Sequence, residues 1–226
     1  MKKVKFDSLF GRRYDRKEVR GLKRDNYVIQ MEQAKMRFLT YDQDRILRKL
    51  GTKDQGDYIY VNLLCKQYRI HRKTADVQRW EHGWVDGNSY NEVMTLLDLV
   101  CDSREDRKIA GVFQSMESFG LMFHQNLLQD RKDPLARKID ENPELFSDAC
   151  RKLGGFSFPG GDLGYCFPVF EDLSMVVLFW HSDEEFAPRI RYLWDANALQ
   201  YLRYETMYFA LGAWRQFLLT KMENAL

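Results

Sequence analysis

The strand-like segments of this sequence occur as neighbouring pairs joined by short turns, which restricts the sheet that they can form. Residues 165–170 and 173–181 are rich in aromatic and β-branched side chains, and only Glu171 and Asp172 separate them. Residues 58–73 fit a second pair of strands, because polar and apolar side chains alternate there. Strands that pair locally, without regular alternation of strands and helices, favour a mostly antiparallel sheet over a doubly wound one.

Helical segments lie on both sides of these strands. Apolar side chains at helical spacing predict helices at residues 27–40, 43–50, 90–101, within 130–155 and at 203–222. The predicted inner face of the first helix comprises Val28, Met31, Ala34 and Phe38. The predicted inner face of the last comprises Met207, Leu211, Trp214, Leu218 and Met222. A further strand is predicted at residues 189–194. The fold class is therefore α+β, a single domain with a mostly antiparallel sheet packed with helices and a long C-terminal helix.

The domain is predicted to span residues 25–226, because no repeat, low-complexity tract or long linker divides them. Residues 1–24 form a basic leader with ten lysines or arginines and three acids. Such a leader can meet nucleic acid or an anionic surface, or it can be a frayed, solvated terminus. The sequence favours the frayed terminus, so nucleic acid is not a preferred partner.

Several classes of protein are excluded or disfavoured. The longest apolar run, at residues 175–180, is far shorter than the roughly 20 residues of a membrane span. The four cysteines, Cys65, Cys101, Cys150 and Cys166, have no metal-ligand spacing and read as small buried hydrophobes of a reducing compartment. A cytoplasmic location is therefore expected. No nucleotide-binding, zinc-protease or α/β-hydrolase motif occurs, and the cofactor remains unknown.

The strongest polar cluster is the acidic turn at residues 181–186, which follows a predicted strand. Its carboxylates, Asp183, Glu184 and Glu185, can bind a hard cation or supply a general acid and base. Asp195 and Glu205 can fold back towards them and complete a set of oxygen ligands. The structural alternatives are a solvated turn whose acids meet Arg189 and Arg191, and a Glu205 that stabilises a helix start through the helix dipole.

Aromatic side chains are concentrated in the same region, since residues 156–217 hold sixteen of the 32 in the chain. This density predicts either the centre of the core or a ligand site, and the sequence does not separate the two. The glycine-bracketed segment 154–162 can approach a ligand closely or simply connect two elements. Trp80, His82 and Trp84 can offer a stacking surface or act as loop anchors. His71, His82 and His124 lack metal-ligand spacing.

The C-terminal half resembles a known family. The stretches GGDLGYCFPVF and VVLFWHSDEEFAPRIRYLWDANALQYLRYETMYFALG are similar to the bacterial and archaeal family called domain of unknown function 3786. The matching positions are Gly161-Asp162, residues 180–186, Trp194-Asp195 and Glu205, and the resemblance spans residues 25–222. It implies an accessory role in anaerobic iron-sulfur or corrinoid-associated metabolism, although this chain lacks the cysteine run of a cluster module.

Two hypotheses of function follow. The first is an accessory or ligand-binding domain with an aromatic-walled acidic pocket for a small molecule or a protein segment, linked to anaerobic corrinoid or one-carbon metabolism. Its candidate ligand-binding residues are Asp162, Trp180, His181, Asp183, Glu184, Glu185, Phe186, Arg189, Trp194, Asp195 and Glu205. The alternative is a carboxylate-dependent hydrolase or transferase that holds Mg²⁺ or Ca²⁺ through Asp183, Glu185 and Asp195. A third and weaker idea is nucleic-acid binding by the leader and residues 66–73.

Overall fold

A computed structural model of the protein describes residues 16–51, 56–86, 89–119 and 133–224. In these residues the helices are α1 (Arg16–Thr40), α2 (Gln43–Lys49), α3 (Tyr90–Asp102), α4 (Pro134–Glu141), α5 (Pro143–Lys152) and α6 (Tyr204–Glu223). The strands are β1 (Tyr58–Leu63), β2 (Lys66–His71), β3 (Val77–Trp80), β4 (Trp84–Val85), β5 (Phe113–Ser115), β6 (Phe156–Ser157), β7 (Leu163–Phe170), β8 (Leu173–Trp180) and β9 (Arg189–Asp195). His124 and residues 1–15 and 130–132 lie outside the described residues.

The strands form two antiparallel sheets. A four-stranded sheet has the order β1-β2-β3-β4, and a five-stranded sheet has the order β5-β9-β8-β7-β6. Both predicted hairpins are confirmed, since β1 pairs with β2 and β7 pairs with β8 across the turn at Glu171 and Asp172. The strand predicted at residues 189–194 is also confirmed and lies between β8 and β5. The predicted α+β fold class is therefore correct.

Both sheets and the helices share one hydrophobic core. The inner face of the first sheet contributes Ile59 and Tyr68, and that of the second contributes Phe179 and Trp194, all fully buried. Helix α3 packs against α1 and α6, and α6 also packs against α5. The predicted inner face of the C-terminal helix is buried throughout, which confirms its role in the core. No helix in the described ranges is both long and apolar enough to cross a membrane.

Three predictions about the first half are wrong. Val28 is 54% exposed, so the inner face of α1 is shorter than predicted and is formed mainly by Ala34 and Phe38. Trp80 and Trp84 do not lie in a loop, because they end β3 and begin β4 as a cross-strand pair. Helix α1 also begins at Arg16, eleven residues before the predicted start at residue 27.

The cysteines are free thiols, and three of the four are buried as predicted. Burial raises the pKa of the Cys101 thiol to about 12, which makes this side chain chemically inert. Cys65 is exposed, contrary to the prediction, because it lies in the two-residue turn between β1 and β2 with a positive φ of 57°. The turn lies at the closed end of the β1–β2 hairpin.

Candidate functional site

A pocket of about 630 Å³ lies where β8 ends and β9 begins. Its wall contains seven of the eleven residues predicted for ligand binding: Asp162, Trp180, His181, Asp183, Glu185, Phe186 and Arg189. Ala187 completes the wall. Most of these residues belong to the connection between β8 and β9. Because these two strands are paired and antiparallel, the connection begins and ends at the same end of the sheet.

The aromatic wall is fixed by the strand pairing. Trp180 is the last residue of β8 and lies opposite Arg189, the first residue of β9. The Arg189 guanidinium is 5.5 Å from the centroid of the Trp180 ring, and that of Arg191 is 6.0 Å from it. Both arginines are within the range of a cation–π contact, which holds the indole against the outer face of the sheet. Phe186 is 65% exposed at the pocket wall.

Asp162 reaches the pocket at the end of the glycine-bracketed segment, which contains β6 and leads into β7. Gly161 has a φ of +67°, and a Cβ atom there would lie 2.5 Å from the carbonyl oxygen of Phe179. Only glycine allows this close approach of two backbones. The Asp162 N–H donates to the same carbonyl at 2.8 Å, and the Asp162 carboxylate accepts from the N–H of His181 at 2.7 Å. The segment is therefore a connection bound to the end of β8.

The acidic turn is shaped by one of its own carboxylates. Asp183 accepts hydrogen bonds from the N–H groups of Glu185 at 2.8 Å and Phe186 at 2.7 Å. Its own N–H donates to the carbonyl of Phe186 at 3.0 Å. Asp183 thus stabilises the turn through backbone N–H groups, whereas the structural alternative had paired the acids with Arg189 and Arg191. Glu184 is exposed and is not part of the pocket wall, whereas Glu185 lines the pocket and its carboxylate has no bonded partner among the described residues.

Asp140 of α4 supports the pocket, and the sequence did not reveal it. The Asp140 carboxylate is 2.9 Å from Nδ1 of His181 and accepts from the Ser182 hydroxyl at 2.6 Å. The Ser182 hydrogen bond, and after it that of His181, lowers the pKa of Asp140. The carboxylate therefore stays ionised and holds His181 at the pocket. Asp140 lies 41 residues before His181, and no local pattern marks such a contact.

Four of the eleven predicted residues are not part of the pocket wall: Glu184 and three residues that lie farther along the chain. Trp194 is fully buried in the core. Asp195 ends β9, six residues from Arg189, which separates the two by about 20 Å along an extended strand. Glu205 is exposed in the first turn of α6, where its charge favours the helix dipole. The aromatic residues of this region therefore divide between the core and the pocket.

The predicted metal ligands are not gathered in one place. Asp183 and Glu185 lie in the turn before β9, and Asp195 lies at the far end of that strand. Within the part of the chain that the structure describes, no group of three or more histidine, cysteine, aspartate or glutamate side chains is placed to hold a metal ion. The described geometry gives the metal-dependent alternative no support.

The fold and this pocket define an α+β protein with a surface site of aromatic and acidic side chains. The chain belongs to the family described as Domain of unknown function (DUF3786), whose model matches residues 42–214. This match confirms the predicted family and covers every residue of the pocket. No curated protein and no solved structure matches the chain.

Proposed function

We propose that this protein is a ligand-binding accessory domain whose pocket takes a small molecule or a protein segment with a flat apolar part and a positive charge. The observation that carries the proposal is the combination of two aromatic side chains, Trp180 and Phe186, with three carboxylates in one pocket wall. Pockets lined by aromatic side chains together with a few polar groups are the usual form of a small-molecule site. A ring stacked on Trp180 or Phe186 gains apolar contact.

The charges of the pocket wall favour a cationic ligand. Asp162, Asp183 and Glu185 contribute three negative charges, and Arg189 contributes one positive charge. Asp162 and Asp183 also accept backbone N–H bonds, which engages part of their hydrogen-bonding capacity. Glu185 has no bonded partner among the described residues, so its carboxylate is the strongest candidate for a direct ion pair with the ligand.

The metabolic context is a separate part of the proposal. The family resemblance implies a link to anaerobic corrinoid or one-carbon metabolism, and an accessory domain of that kind would bind a cofactor fragment or a partner segment without performing chemistry itself. The pocket volume of about 630 Å³ lies within the range of small-molecule sites. The link itself rests on the resemblance and stays a prediction.

A flat cation tests the pocket directly. We expect benzamidine to bind the wild-type protein, and we expect Glu185→Gln to weaken this binding about tenfold, because a hydrogen bond to a charged group contributes about 1.5–3 kcal/mol. Trp180→Ala should weaken it as well, through loss of the stacked ring. Isothermal titration calorimetry measures both effects. Glu184→Gln is the matched control, since it removes the neighbouring charge outside the pocket wall. Unchanged affinity in the Trp180→Ala, Glu185→Gln double variant would overturn the proposal.

A titration with divalent cations distinguishes the two hypotheses of function, a binding domain and a metal-dependent enzyme. We expect millimolar Mg²⁺ or Ca²⁺ to leave the melting temperature unchanged, because the predicted ligand Asp183 lies in the turn before β9 and Asp195 lies at the far end of that strand. A bound ion at 100 times its Kd would stabilise the native state by about 2.7 kcal/mol. In a chain of this length that corresponds to a rise of roughly 5–10 °C, which differential scanning fluorimetry detects easily. Such a rise would favour the enzyme.

A further inference from the structure

A second cavity, of about 330 Å³, lies between α2 and the C-terminal end of α3. It shares no residue with the pocket at β8 and β9. Its wall contains both charged side chains and buried hydrogen-bonding groups, among them Tyr41, Lys49, Asp102 and Ser103. The chemistry of this cavity depends on which of these groups already have partners inside the protein.

The negative charge of Asp102 is matched. Its carboxylate lies 3.0 Å from a guanidinium nitrogen of Arg37 and 2.8 Å from one of Arg203. It also accepts a hydrogen bond from the Tyr41 hydroxyl at 2.6 Å, and this bond raises the pKa of Tyr41 to about 12. Two arginines therefore balance the charge of this carboxylate, and the phenol satisfies Oδ1. Oδ2, which forms both ion pairs, accepts no hydrogen bond from the described residues.

The other acids of the wall are matched as well. Glu105 accepts from Nε of Arg45 at 2.6 Å. Asp42 accepts from the N–H groups of Asp44 and Arg45 at 3.0 and 3.1 Å, which caps the start of α2. Both carboxylates are thus engaged in structural contacts, one with a cation and one with a helix end.

Lys49 is the cation of the wall that has no anionic partner. Its ammonium donates to the backbone carbonyl of Cys101 at 3.0 Å, and no carboxylate pairs with it among the described residues. Burial lowers the pKa of Lys49, which is the expected effect where no carboxylate compensates for desolvation. An ammonium has three N–H donors, so two of them have no acceptor in the described part of the chain.

Ser103 adds a further unsatisfied group to the same wall. The side chain is buried, with 5% of its surface exposed, and its hydroxyl has no hydrogen-bond partner in the ranges that the structure describes. Its backbone N–H is used separately, since it ends α3 by donating to the carbonyl of Leu99. Buried hydroxyl groups without a partner are uncommon in native proteins, and a bound water or ion is one of the explanations for such a group.

We propose that this cavity binds a small oxyanion, a carboxylate or a phosphate group, through the Lys49 ammonium and the Ser103 hydroxyl. The oxygens of a carboxylate, and the ionised oxygens of a phosphate group, accept hydrogen bonds from N–H and O–H groups. Such a group therefore matches the unused donors and the positive charge of Lys49 and the hydroxyl of Ser103. The volume suits an anion of a few heavy atoms.

Calorimetric titration with inorganic phosphate and, separately, with acetate at constant ionic strength tests this site. We expect the wild-type chain to bind at least one of these anions. Lys49→Met should weaken the binding by at least about tenfold, because it removes the charge and both free donors. Ser103→Ala should weaken it about three- to tenfold. Binding of phosphate alone identifies a phosphate-bearing ligand, and binding of acetate alone identifies a carboxylate.

Arg48→Ala is the matched control for the lysine. Arg48 is the neighbouring cation on α2, its side chain is 70% exposed, and it is not part of the cavity wall. Its removal should change anion affinity less than about twofold. Ser103→Ala covers the case in which Lys49→Met does not fold, since loss of an unpaired buried hydroxyl does not destabilise a protein. Absence of heat with both anions, or wild-type affinity in Ser103→Ala and any folded Lys49→Met, would overturn the proposal.

Discussion

Replacement of Asp195 by alanine is expected to lower the free energy of unfolding by about 3 kcal/mol and to leave benzamidine binding unchanged. The Asp195 carboxylate is 2% exposed and accepts three backbone hydrogen bonds. The donors are the N–H groups of Ala110 at 2.9 Å, Gly111 at 2.8 Å and Asn197 at 2.8 Å. Each buried donor left without an acceptor costs about 1–3 kcal/mol, and entering water can replace part of the loss.

Urea denaturation measures this change, and Glu205→Ala provides the control. Glu205 was predicted for the same site, but it is exposed on α6, so its removal should change stability by less than about 0.5 kcal/mol. Both variants should bind benzamidine like the wild type, because both positions lie outside the pocket wall. A stable Asp195→Ala protein that has lost binding would show instead that this carboxylate belongs to the site.

The part of the site that could be predicted from the sequence is local. Trp180 and Arg189 lie close together because β8 and β9 pair directly. The residues between them therefore stay at one end of the sheet. A short acidic turn between two strand-like segments is enough to predict that its residues lie together, because it joins neighbouring strands. Gly161 and Asp162 were predicted as part of a motif, and their contact with Phe179 explains why the motif contains a glycine.

The residues that were wrongly grouped with the pocket, Trp194 and Asp195, lie too far along β9 to reach it. Asp195 and Trp194 were grouped with the pocket although residues 189–194 had themselves been predicted as a strand. An extended strand moves the chain about 3.3 Å for each residue, so Asp195 could not also lie beside Arg189. The length of the predicted strand was therefore enough to exclude Asp195 from the pocket before the structure was known.

The part that could not be predicted depends on contacts between distant segments. Asp140 contacts His181 because α4 packs on the second sheet. The pattern of residues within α4 does not show which loop lies beside that helix. The exposed Val28 has a similar cause. Helical spacing shows which face of α1 is apolar, but the extent of its burial depends on where the neighbouring elements end.

Glu92→Ala is expected to destabilise the protein by about 3–5 kcal/mol, the cost of removing one partner from a buried ion pair. Glu92 is 1% exposed and joins α3 to the first sheet. Its carboxylate pairs with the guanidinium of Arg79, accepts from the Tyr68 hydroxyl at 2.7 Å, and accepts from the N–H of Ser89 at 2.9 Å to cap the helix. Burial and the charge of Glu92 both raise the pKa of Tyr68, so this hydroxyl remains a donor.

Glu92→Gln separates the charge from the hydrogen bonds. Glutamine keeps the volume and an acceptor oxygen for Tyr68 or Ser89, but it cannot balance Arg79, whose side chain is only 17% exposed. We therefore expect it to lose about half as much stability as the alanine variant in urea denaturation. Arg79 retains the carboxylate of Glu81, which receives its Nε hydrogen bond at 2.9 Å. If Glu92→Ala were as stable as the wild type, that second carboxylate would be sufficient for Arg79, and the join between α3 and the sheet would depend on apolar packing alone.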